Sequence, residues 1–376
     1  MFSPGKKHSR LQRTNFIFVL RIWASATRRI HPLLIAASVA LLFAVSARAQ
    51  LRPAPGAPSS LRPAIDSSSN RTPVVEITKP DKNGVSNNQF DSFNVDRRGL
   101  ILNNNFLPGH SRLGAVVKNN PNFSWGDFAR LIIDQVVGTS PSTIGGSVEV
   151  FGPRADLLIA NPNGISVNGA EFHNISRLTL SAGTVQYDRH GNVGLSIDSG
   201  NLEIGSGGLH VVTIDDVTVL GRNIILNGPV ESGYLLSLFS GKRYFDYASR
   251  TSSGTGANGK GKWAIDSSAL GGVSAGRIIM ESTDQGVGVR APRHMAASAG
   301  DVTISANGRI SLGHIRSNGR IIVRSGGGGI VVTMPNEGFF VALLEKLAKS
   351  DRREDELLLV PLAELAPLAC SHHEGG

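Results

Sequence analysis

The chain has 376 residues, with 38 Lys and Arg against 29 Asp and Glu, a formal charge of +9, and one Cys. That balance would suit a nucleic-acid or anionic-membrane partner. However, eight of the bases lie in the first 49 residues, which hold no acid, and the rest carries 30 bases against 29 acids. A basic nucleic-acid-binding body is therefore excluded, and Cys370 alone excludes an intrachain disulfide. The 44 glycines and the 6% aromatic content argue for turn-rich β structure over a compact helical enzyme.

Residues 1–49 read as an extended secretory signal peptide. A basic stretch to His31-Pro32 precedes the apolar run Leu33 to Val45, and Ala47-Arg48-Ala49 forms a small-residue cleavage signature before Gln50. The apolar run is shorter than the roughly 20 residues of a membrane-spanning helix, which disfavours a retained anchor. Residues 50–73 are rich in Pro and Ser and read as an extended leader.

From Val74 to Met334 short β-branched runs alternate with Gly, Asn or Asp, and helical periodicity is almost missing. Val74-Val75-Glu76-Ile77, Leu157-Leu158-Ile159 and Ile278-Ile279-Met280 are examples. The fold class predicted is all-β. The regular end of this region, with strands predicted at Val302, Ile310, Ile321 and Ile330, gives about 20 residues for two spacings. One coil of a parallel β-helix has that length, and a β-sandwich with Asn-Gly hairpins fits the same spacing. Residues 335–376 break the pattern: Phe339 to Lys349 has helical spacing, Asp351 to Glu356 is a charge run, and a Leu-, Ala- and Pro-rich end follows. A helical cap, a disordered tail and a frame-altered terminus all fit that composition.

Catalytic strings fail on context. Gly254-Thr255-Gly256-Ala257-Asn258-Gly259 has the spacing of a phosphate-binding loop, but no helix pattern follows to offer its N-terminus. Gly272-Val273-Ser274-Ala275-Gly276 has nucleophile-elbow spacing, yet a strand pattern follows where the elbow needs a helix. Cys370, His372 and His373 lack a fourth metal ligand, and Asp215-Asp216 reads as a corner rather than a lyase's acidic pair. No catalytic residue, metal or cofactor is expected.

Two corners stand out. Asn161-Pro162-Asn163-Gly164 carries type I turn preferences in order, between Leu157-Leu158-Ile159-Ala160 and Ile165-Ser166-Val167; Asn120-Pro121-Asn122-Phe123 repeats it without the Gly. As residues they are explained by good corners alone. Together with Gly84 to Val95 (GVSNNQFDSFNV) and Gly99 to Asn104 (GLILNN), they resemble the filamentous-haemagglutinin-type two-partner secretion domain, the haemagglutination activity domain family. Asn120-Pro121-Asn122-Phe123 sits where that family's NPNL motif is expected, and Asn161-Pro162-Asn163-Gly164-Ile165 matches its NPNGI motif. Gly286 to Ala291 and Ala296 to Asp301 look like its β-helical repeats.

The resemblance implies a right-handed parallel β-helix. It implies a secretion domain over 74–250, further repeat coils over 251–334, and an atypical tail over 335–376. Export would pass through the periplasm and a dedicated outer-membrane β-barrel transporter with periplasmic modules, with the product secreted or held at the cell surface. It also implies that the two motifs serve secretion and folding. An adhesin role would bring a host-cell or bacterial surface carbohydrate or receptor as further partner, and the lack of a Cys pair favours the adhesin over the haemolysin branch. The alternatives are a contact-dependent inhibition toxin lacking its catalytic C-terminus, and a β-helical polysaccharide lyase.

Overall fold

The computed structural model describes residues 51–254, 256–267 and 271–332, and the backbone alone of Ala342–Leu343 and Asp355–Leu359. The chain divides into two units, Met1–Ala49 and Gln50–Gly376, and all described residues belong to the second. The signal-peptide reading, with its cleavage residues Ala47, Ala49 and Gln50, lies outside the described residues.

Three walls of parallel strands wind about a common core. The first holds Val85–Phe93, Leu131–Val136, Ala155–Ala160, Ile175–Ser181, Asp216–Gly221, Leu235–Ser240, Arg277–Ser282, Val302–Ala306 and Ile321–Ser325. The second runs from Ser142–Ile144 through Ile165–Val167 and Asn201–Ile204 to Ile330–Val332. The third runs from Pro73–Glu76 through Leu100–Asn103 and Val148–Phe151 to His314–Ser317. Each coil visits the walls in turn and returns one strand spacing further on. Val302 therefore lies beside Ile321, 19 residues later. The molecule is a parallel β-helix, and the sandwich alternative falls because every wall ladder between successive coils is parallel.

Alternation builds the core. Val302, Ile304 and Ala306 point inward while Thr303 and Ser305 do not, and one apolar cluster extends from Val75 to Val323. Leu131–Val136 and Ala155–Ala160 are instead buried on nearly every residue. An antiparallel sheet of Thr184–Tyr187, Val193–Ile197, Arg243–Asp246 and Ser252–Gly254 covers their outer side. Leu131, Ile133, Leu158 and Ala160 pack there against Leu195, Ile197 and Phe245. Each fully buried Leu, Ile or Phe among them contributes about 1.5–3 kcal/mol relative to exposure. Arg243 fastens the cover from a fully buried position, bonding Glu281 at 3.1 Å beneath the Phe239 ring. Arg250 reaches Asp216 and Thr218 on the first wall.

Several elements differ from the sequence expectation. A coil takes three strands in about 20 residues, not two, because Gly272–Ala275, His294–Ala297 and His314–Ser317 form the third wall. These strands escape sequence reading because each turns only one sizeable apolar side chain inward, as with Ile315 beside Ser317. The covering sheet is likewise hidden, since its hairpins carry the same β-branched runs as the coils. The Pro/Ser-rich segment joins the fold: Leu51–Pro53 and Ala64–Ser67 run antiparallel along Val85–Phe93 and Pro73–Glu76. They give the first edges of two walls a pairing partner. Of the tail, Asp355–Leu359 pairs antiparallel with Ile321–Ser325 and with Ala342–Leu343. The helical reading of 339–349 otherwise falls outside the described residues. Gly254 ends a strand of the cover, and Trp263–Ser267 follows it as a strand. Ser274 lies on a strand that runs into the strand Arg277–Ser282, so the elbow geometry is not formed.

Candidate secretion site at two asparagine corners

The turn at Asn161 links a first-wall strand to a second-wall strand. Its closing bond runs from Gly164 N to Asn161 O at 3.0 Å, and the Asn161 side-chain oxygen accepts from Asn163 N at 2.9 Å. This is the Asx arrangement that favours Asn at a turn's first position. The Asn161 amide nitrogen donates to Ser140 O at 3.0 Å and to Ser142 Oγ at 2.9 Å, while Asn163 donates to Gly138 O at 2.8 Å. One corner thus ties itself to the corner of the preceding coil. Gly164 has φ of 114°, a conformation that favours Gly, and a Cβ there would sit tightly against Asn201 O at 3.0 Å. Ile165 then enters the core.

The corner at Asn120 repeats the scheme. Phe123 N donates to Asn120 O at 3.2 Å, and Asn122 N to the Asn120 side-chain oxygen at 2.9 Å. The Asn120 amide nitrogen donates to Ile77 O at 3.0 Å and Asn103 O at 2.8 Å, and Asn122 donates to Ile77 O at 3.0 Å. Phe123 packs against the main core, so an apolar ring keeps the role expected of Leu.

Burial separates the residues of each motif. Asn120 and Asn161 are fully buried, whereas Pro121, Asn122 and Asn163 are exposed and Pro162 is half-buried. In the folded chain the leading Asn of each corner is inaccessible and acts through the backbone carbonyls it satisfies. A partner touching it must meet the chain before the corner closes.

Further asparagines of the same kind escaped the sequence reading. Asn104 is buried, donates to Ala129 O at 2.9 Å and Pro153 O at 3.0 Å, and accepts from Ala129 N at 2.7 Å. Asn174, at φ 60°, donates to Val150 O and Gly152 O, both at 2.8 Å. Their signal is an Asn that closes or separates β runs, which is common in loops and weak by itself. Beside the first corner Trp125 is 85% exposed and packs at a tilt against Phe106, 5.1 Å between ring centres.

Charged side chains pair along the walls. Asp215 sits 3.8 Å from Arg154, and Asp216 bonds Arg250, so the acidic pair serves two separate ion pairs at the start of a strand. Among the described residues no group of three or more His, Cys, Asp or Glu could hold a metal. Three carboxyls of the early coils are displaced upward by burial: Asp134 to about 8, Glu76 to about 7 against a bond from Asn103, and Asp156 against Arg177 and Tyr247.

The family model of the TPS secretion domain matches residues 49–312. The chain belongs to that family. It is therefore a two-partner secretion protein, secreted or displayed at the cell surface. The solved secretion domain of filamentous haemagglutinin superposes with a TM-score of 0.66 at 32% identity, covering 77% of this chain and 98% of that one. The chain is similar to a protein named tRNA nuclease CdiA-2 from Burkholderia pseudomallei, at 39% identity over 243 residues, 64% of this chain and 8% of that protein. It is also similar to the filamentous haemagglutinin of Bordetella pertussis, at 37% over 252 residues, 65% of this chain and 7% of that protein. This chain thus spans under a tenth of the length of these relatives. The matched region holds most of the β-helix and both asparagine corners.

Proposed function

We propose that residues 74–250 address this chain to an outer-membrane β-barrel transporter through its periplasmic modules, and that residues 251–334 are repeat coils that follow it out. The observation that carries this is the pair of Asn-Pro-Asn corners, built to one hydrogen-bonding plan inside a two-partner secretion domain. Asn120, Pro121, Asn122, Asn161, Pro162, Asn163, Gly164 and Ile165 form the secretion site in this reading. They are offered to the transporter in the unfolded chain and close as the coils form. Unfolded segments suit capture by strand addition, and coil-by-coil folding outside would draw the chain forward. Export in that state is compatible with a single Cys, which leaves no intrachain crosslink to thread.

The exported product acts as a non-enzymatic adhesin or haemagglutinin-like protein, meeting a surface carbohydrate or receptor. The similarity to CdiA-2 favours a second reading, in which the same domain exports a contact-dependent toxin. The secretion step is common to both, and contact inhibition of neighbouring cells separates them. Expression with and without the transporter barrel tests the proposal: protein in the medium beginning near Gln50, only with the barrel, is expected. Equal release in its absence contradicts it.

A further inference from the structure

The strand Leu131–Val136 places Asp134 on the inner side of the first wall. Ile132 and Val136 belong to the central core and Ile133 to the cluster under the cover, so alternation turns Asp134 inward. Asp134 is fully buried, and neither carboxyl oxygen has a hydrogen-bond partner among the described residues. Its ladder neighbours are Asn88 on one side and Ile159 on the other. Asn88 is already committed: its side-chain oxygen accepts from Thr78 N at 2.9 Å, and its nitrogen goes to Ile133 O at 3.3 Å and Ser86 Oγ at 3.4 Å. Ser86 in turn donates to Thr78 O at 2.7 Å. No charged group of the described residues acts on Asp134; only burial and Asn88 do. A carboxylate left this way in an apolar interior is far costlier than the neutral acid.

We propose that Asp134 couples closure of the first coils to the uptake of one proton, so that alkaline conditions hold the domain towards its unfolded, export-ready form and acid conditions favour the closed helix. The proton comes from solvent and stays on the carboxyl, with no other bond made or broken. The coupling itself is independent of the transporter reading; only its use in export rests on it. In the open chain the acid titrates near its ordinary value of 3.8, and in the closed coil burial carries it to about 8. The folded state therefore binds the extra proton between these limits. Stability is greatest below the lower limit and falls as pH rises through the window, with the folding constant dropping by up to about tenfold per pH unit. Glu76 and Asp156 are the other early acids raised by burial, but Glu76 lies on the third wall against Asn103, Lys118 and Asp66, and Asp156 is held by Arg177, Tyr247 and Arg250.

Equilibrium unfolding of the purified chain, followed from pH 4.5 to 8.5, tests this in wild type, Asp134→Asn and Glu76→Gln. Asp134→Asn should flatten most of the pH dependence and exceed the wild type's folding constant at pH 8 by at least about tenfold. Glu76→Gln should leave the Asp134 share in place. A wild-type profile unchanged in Asp134→Asn overturns the proposal. Should Asp134→Asn fail to fold, proton uptake on refolding wild type at pH 6.5 in dye-monitored, weakly buffered solution decides. Uptake there that persists in a Glu76→Gln/Asp156→Asn/His210→Gln variant supports the coupling, and none refutes it. Transporter-dependent release, measured separately, fails or succeeds on its own.

Discussion

The early coils and the late coils share three walls but fill them differently. From Val302 onward a coil takes 19 residues, its inner positions are plain alternation, and its outer first-wall face is uncovered by other strands of the described chain. Between Pro73 and Gly254 the coils carry long excursions, a covering sheet, asparagine-tied corners and buried acids. Late coils are stabilised by the ladder and its core, in the manner of a repeat that any neighbour can extend. Early coils add many specific polar contacts, each of which must form correctly for the coil to close. Such contacts should make an early coil more sensitive to single substitutions than a late one.

The largest effect expected is in the covered region. Phe245→Ala empties a fully buried site under the cover and should cost about 3–5 kcal/mol. Ile304→Val, in a late coil with the same full burial, should cost only about 0.5–1.5 kcal/mol. Chemical denaturation of both variants checks the two magnitudes, which reflect the size of each truncation as well as its region. Asn161→Ala comes next: it removes bonds to Ser140 O and Ser142 Oγ, opens the turn, and leaves the buried Ser142 Oγ and the part-buried Ser140 O without their donor. About 2–4 kcal/mol is expected, at about 1–3 kcal/mol per stranded group. Its late counterpart, Asn318→Ala, loses one exposed bond to Ser298 O and should cost about 1 kcal/mol or less.

Much of the repeating architecture was legible in the sequence, because Val, Ile and Leu at alternate positions report their own burial. The corners at Asn120 and Asn161 were legible through turn chemistry alone. The third-wall strand His314–Ser317 was not, since a single Ile in a polar run carries no period. Nor was the cover, whose hairpins read like any other strand. Asp134 in Leu-Ile-Ile-Asp-Gln-Val reads as a strand's polar face, and only the interior position of its neighbours shows where it points. Long-range placement, not local preference, decides these three.

A smaller effect belongs to Glu76. Burial raises it to about 7, so its carboxyl favours the folded state when protonated, and stability falls as pH rises from its ordinary 4.5 towards 7. Glu76→Gln should remove that part of the slope in thermal melts taken across this range. The smallest effect is at the surface of the late coils: Arg320→Ala breaks a half-exposed pair with Asp301 at 3.1 Å and should change stability by less than about 1 kcal/mol.

Transporter-dependent export of two corner variants tests the distinction between the regions most directly. Asn161→Ala/Asn163→Ala and Asn318→Ala are each expressed with the barrel, and protein in medium and periplasm is quantified. The early double variant should be stranded in the periplasm while the late variant is released like wild type. Equal release of both, or equal loss of both, would contradict the assignment of secretion to the early coils.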